Sequence, residues 1–216
     1  MSMTKEMTSG KPYKLILSFA IPLILGNVFQ QLYNMVDTVI VGKFVGVNAL
    51  AGVGSTGAIN FLVIGFALGI CSGFSIMIAQ RFGAGDYSGM RKFIANSIYL
   101  CIAVAVILTA VTMLLTKPIL TVMNTPKEIY DYAYNYIIII FAGISATMFY
   151  NILSGILRAV GDSRTPLIFL GVSSVLNVGL DLLCIIVFKM GVAGAGIATV
   201  ISQAISCLLY TSDAAD

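Results

Sequence analysis

Residues 173–188 read SSVLNVGLDLLCIIVF, and the fold turns on how that run is understood. It belongs to an apolar stretch, 166–188, long enough for a helix to cross a hydrocarbon core, which takes roughly 20 residues. Yet an amide, Asn177, and a carboxylate, Asp181, stand one helical turn apart near its middle. Such groups need a partner, a wet cavity or a proton if they are to stay in lipid.

The rest of the chain is of the same kind. Of 216 residues, 59% are hydrophobic and 10% charged, with a mean hydropathy of +1.00, far from the mix of a soluble domain. The composition predicts an all-α integral membrane protein, because unpaired backbone groups are not tolerated in lipid. Six spans are expected, at 15–41, 56–80, 93–115, 134–157, 166–188 and about 192–210. Between them lie a glycine-rich stretch (42–54), a polar loop (83–91), a segment with two prolines (117–127) and a polar turn (161–166). None is long enough for a separate soluble domain.

No enzyme chemistry is legible: there is no histidine, no nucleophile beside a base, no glycine-rich phosphate loop and no metal spacing. Cys71, Cys101, Cys184 and Cys207 fall within apolar spans and read as small hydrophobes. The basic N-terminal segment leads into an apolar run too long for a signal peptide. Lysines and arginines number eight on the N-terminal side of the predicted spans and four on the other, which puts the N-terminus in the cytoplasm. The net charge of +3 reflects this asymmetry and gives no reason to expect nucleic-acid binding.

Seven of the nine acidic residues fall in loops, ends or the tail, where water solvates them; the exceptions are Asp37 and Asp181. A carboxylate inside the hydrocarbon region costs at least about 2.5 kcal/mol. At 1.5 Å per residue, Asp37 lies about 7 Å, Asp181 about 10 Å and Thr199 about 12 Å from the outer ends of their spans. All three reach one layer. Asn27, Gln30, Asn34 and Asp37 form a stripe with Tyr33 and Thr38 at its edge, and Ser173, Ser174, Asn177 and Asp181 form another. Tyr150, Asn151 and Ser154 add polar groups on the fourth span. Serines and amides serve as helix-to-helix glue elsewhere, whereas two carboxylates at one depth point to an ion or proton site. Gly65, Gly69 and Gly73 make a small-residue ridge expected to pack helices closely, and Pro22 is expected to kink the first helix.

The stretches IPLILGNVFQQLYNMVDTVIVG, AQRFGAGD, RAVGDSRTP, NVGLD and GVAGAGIATVISQ occur in that order. Together they resemble the multidrug and toxic compound extrusion (MATE) family. The resemblance implies two six-helix lobes facing a central cavity, from which substrate leaves as Na⁺ or H⁺ enters. It implies a cation site at Asp37, Asn177, Asp181 and Thr199, a bending proline at Pro22, and substrate-facing positions at Gln30, Tyr33 and Asn151. Asn34, on the same stripe, is grouped with these. No cofactor is implied beyond the coupling ion, and the expected partners are organic cations or drugs, the bilayer and a second, C-terminal lobe.

On this reading, 1–14 is a cytoplasmic segment, 15–206 one six-helix lobe of a twelve-helix transporter in the cell membrane, and 207–216 a tail. That tail, CLLYTSDAAD, resembles one reading frame of a transposase sequencing adapter, so the lobe is expected to end near Ser206. The rival readings are a flippase for a lipid-linked precursor and a non-transporting assembly partner.

Overall fold

The computed structural model describes residues 12–213. Residues 1–11 of the expected cytoplasmic segment, with Lys5 and Lys11, and 214–216 of the expected tail lie outside the described residues. The chain forms α1 (Pro12–Phe44), α2 (Val47–Ser55), α3 (Gly57–Gly83), α4 (Tyr87–Val122), α5 (Lys127–Ala142), α6 (Ile144–Ala159), α7 (Arg164–Leu182) and α8 (Gly191–Asp213). A π-helical turn, Leu183–Val187, extends α7. No strand occurs among the described residues. Five helices are individually long and apolar enough to cross a membrane, and counting the bent pair α5 and α6 as one span brings the number to six.

Two boundaries differ from expectation. The glycine-rich stretch 42–54 is mostly helical: α1 runs to Phe44, Gly46 turns the chain at φ 119°, and α2 follows. A left-handed φ of that kind suits glycine, which has no Cβ to clash. α2 is held by close packing, since a Cβ on Gly52 would come within 2.6 Å of Tyr132 Cβ on α5. α4 continues through Pro118 to Val122, so the two-proline segment is only partly a loop.

The fourth span is two helices meeting at Gly143 with a 48° bend. A side chain at Gly143 would collide with Val200 of α8, and just beyond the bend Thr147 Oγ1 donates to Gln203 Oε1 at 2.6 Å. α8 therefore sits in the elbow of the bent span. α1 itself runs unbroken through Pro22.

An aspartate caps the following helix at both polar loops. Asp86 caps α4, accepting from Gly89 N at 2.8 Å and pairing with Arg81 at 2.6 Å. The Gly89 N–H and then the Arg81 guanidinium hold its carboxyl below the usual carboxylate range. Asp162 is buried and not solvated as expected; its Oδ1 accepts from the backbone N–H of Arg164 and Thr165 at 3.0 and 3.1 Å.

The main core lies between α3, α4, α5 and α6, around Ala67, Cys71, Cys101, Phe141, Ile144 and Met148. A smaller one joins Ile40 and Val41 of α1, Ala49 of α2, Ile185 and Val192. All four cysteines are free thiols. The ridge of Gly65, Gly69 and Gly73 does not pack helices together here, for a Cβ at any of them would meet nothing within 4 Å. The ridge faces away from the bundle because α4 and α6 pack on the opposite, Cys71-bearing face of α3.

Candidate cation site and cavity

α1 lies on the rim of the bundle: none of the residues in its apolar window is buried. It packs along α7, and this seam brings the two intramembrane acids together. Because α1 reaches Phe44, Asp37 lies about 10 Å from its end, the depth expected for Asp181. Asp181 is 0% exposed and Asn177 1%, whereas Asp37 is half-buried. The carboxyl groups of Asp37 and Asp181 lie within hydrogen-bonding reach of each other.

Asn177 bridges three helices. In the amide orientation that satisfies its neighbours, its nitrogen donates to Asp37 Oδ1 at 2.8 Å and its oxygen accepts from Thr199 N at 3.3 Å. The opposite orientation offers Thr199 Oγ1 a contact of only 3.5 Å and turns the amide oxygen on a carboxylate, so the first is physically preferred. The Thr199 hydroxyl itself donates to Ala195 O at 3.0 Å. All four predicted cation-site residues thus converge. One detail departs from the sequence reading: Asn177 serves Asp37 across the seam and not Asp181 one turn along. Asp181 is left with both oxygens buried and no hydrogen-bond donor. A buried carboxylate without a donor is unusual, and next to a second carboxyl it is a place where a positive ion is attracted.

Asp37 also opens onto a cavity of about 420 Å³. Gln30, Tyr33 and Asn34 line it beside Asp37, and Asn60, Tyr136, Thr147, Thr199 and Gln203 complete the polar lining. Asn151 lies elsewhere. Its amide donates to Thr147 O at 2.7 Å, and it lines a smaller chamber with Pro22. Backbone bonding to the preceding turn draws it away from the larger cavity.

Tyr136, Asn60 and Gln203 were not singled out from the sequence. Tyr136 is half-buried and within electrostatic reach of both acids. The signal for Asn60 and Gln203 was a lone amide in an apolar span; one such group is also ordinary helix glue, and only the tertiary arrangement separates the two.

Comparison with known proteins bears on this geometry. The MatE family model matches residues 22–183. Over 203 residues the chain is 34% identical to a probable multidrug resistance protein of Bacillus subtilis, YpnP, covering 94% of this chain and 46% of that protein. It is 33% identical to the probable multidrug resistance protein NorM of Thermotoga maritima, with coverages of 92% and 43%. A solved structure described as the outward-facing conformation of a multidrug resistance MATE family transporter superposes with a TM-score of 0.90 at 29% identity. It covers 98% of this chain and 47% of that one. The chain spans about half the length of the relatives it matches.

Proposed function

The chain belongs to the MATE family, and on that premise we propose that it forms one lobe of a cation-coupled antiporter exporting organic, often cationic compounds. The partner lobe would be a second six-helix unit, and the whole would sit in the cell membrane with its N-terminus cytoplasmic, as the lysine and arginine distribution favours. The observation that carries the reading is the meeting of Asp37 and Asp181, with no donor for the latter.

Two carboxylates in a partly desolvated compartment repel each other, and an entering H⁺ or Na⁺ relieves that repulsion. The side chains supply oxygens for either ion: four from the carboxyl groups, with the Thr199 hydroxyl oxygen nearby. A membrane potential contributes about 2.3 kcal/mol per charge per 100 mV to that entry. Because the same Asp37 also faces the cavity, capture of the ion removes the negative charge that holds a cationic substrate there. Repacking of α1 about Pro22 would then narrow the cavity and expel the substrate.

A flippase for a lipid-linked precursor would require basic groups to meet a pyrophosphate. The cavity lining holds no lysine or arginine, and its charged member is Asp37. That disfavours the flippase. A lone lobe has no partner to alternate against, so the isolated chain is expected to be a non-transporting assembly partner.

Transport by proteoliposomes carrying both lobes tests the proposal. Asp37→Asn and Asp181→Asn should each abolish drug export and the accompanying H⁺ or Na⁺ flux. If both variants export normally, the antiport mechanism is wrong.

A further inference from the structure

Where α1, α6 and α7 converge beside Pro22, a chamber of about 60 Å³ is lined by Leu167 and Leu170 of α7 together with Asn27, Ser154, Arg158 and Ser163. Arg158 ends α6, is half-buried, and its guanidinium makes no hydrogen bond or ion pair with any described residue. Asp162, four residues on, is already engaged by the backbone N–H groups of Arg164 and Thr165. A partly desolvated cation without a counter-charge is costly. Its five N–H donors form a planar fork that matches the oxygens of a phosphate or carboxylate.

Two features of the surroundings narrow the choice. Outside the chamber, α1 and α7 present bare apolar surface on either side, with Ile24 60% and Ile168 56% exposed, a surface suited to acyl chains. Arg158 also lies at the end of the bundle that carries the lysine and arginine excess, the end that the topology proposed above sets against an anionic inner leaflet. We infer that the chamber seats the phosphate of an anionic phospholipid, held by Arg158 with Asn27 and Ser163 as neutral donors, its chains lying along the α1–α7 surface. A lipid so placed would brace α1 at Pro22. The inference stands apart from the coupling ion, since none of its residues belongs to the acidic site.

The test uses the purified 216-residue chain in phosphatidylcholine nanodiscs containing a minority of phosphatidylglycerol, with native mass spectrometry counting the lipid retained on release. Wild type should keep a single phosphatidylglycerol in preference to phosphatidylcholine. Arg158→Gln should bind it about tenfold or more weakly, the scale of a lost charge-assisted pair. Arg158→Lys should fall between them. Asn27→Leu, on the exposed side of α1, should weaken retention several-fold, and it decides the matter if Arg158→Gln does not fold. No preference in wild type, or retention unchanged in these variants with their helical circular dichroism intact, overturns the site. Displacement of the lipid by an equal concentration of soluble glycerol phosphate overturns the lipid as its source.

Discussion

The two sides of this bundle are built on opposite terms. Around α3, α4, α5 and α6 the contacts are apolar and close: Phe141, Ile144 and Ile152 are fully buried, and a side chain at Gly155 would collide with Ser75. Along the seam of α1, α7 and α8 the contacts are polar and incompletely satisfied, and α1 buries little until Ile40. The difference separates a frame, which gains stability from its packing, from a polar seam, which gives up stability by keeping two carboxyl groups inside an apolar bundle. That division can be broken by experiment, because it assigns opposite signs to mutations on the two sides.

The largest effect belongs to the frame. Phe141→Ala should destabilise the chain by about 3–5 kcal/mol, the cost of removing a buried aromatic ring and leaving its cavity, read as a lowered unfolding midpoint in detergent. Next comes the seam, with the sign reversed. Asp181→Leu replaces a donorless buried carboxylate with an apolar group and should stabilise the chain by about 1–3 kcal/mol, while coupled transport by the two-lobe protein disappears. A loss of stability on Asp181→Leu would mean that this acid holds the fold together, and the contrast between frame and seam would fail.

A smaller effect probes the joint between the two regions. Thr147→Val removes the 2.6 Å hydrogen bond to Gln203 at the elbow of the bent span and should cost about 1 kcal/mol. A second measurement sharpens it: Gln203→Leu combined with Thr147→Val should cost less than the sum of the two single changes, since both delete the same bond.

The sequence alone carried the class of the fold, the spans and the convergence at the acidic site, for reasons that can be named. Apolar length fixes a span, and the cost of an intramembrane carboxylate singles out Asp37 and Asp181 from nine acidic residues. What stayed hidden depended on contacts distant in the chain. The break at Gly143 answers to Val200, the short helix α2 to Tyr132, and the Asn177 amide to Asp37. The π-helical turn after Asp181 likewise has no signature in LLCIIVF. Its widened backbone meets Gly194 of α8, where a Cβ would come within 3.0 Å of Cys184 Cβ. Asn151 stands apart from the larger cavity for a related reason: a helical amide can bond its own backbone, and spacing does not reveal which choice it makes.

Glycine gives the smallest and most discriminating comparison, because the same residue type plays two parts on either side of one helix pair. Gly155 of α6 lies against Ser75 and the Cys71 carbonyl of α3, while Gly69 on α3 faces open space. Adding one methyl group to each changes helix propensity in the same favourable direction, so any difference between them reports packing. Gly155→Ala should destabilise by about 1 kcal/mol or more, since the crowded side chain or backbone must shift. Gly69→Ala should leave the unfolding midpoint of the isolated chain within about 0.5 kcal/mol of wild type. Equal losses at both sites would show that the ridge at Gly69 packs within this lobe after all, and the frame would then have to be redrawn to include the outer face of α3.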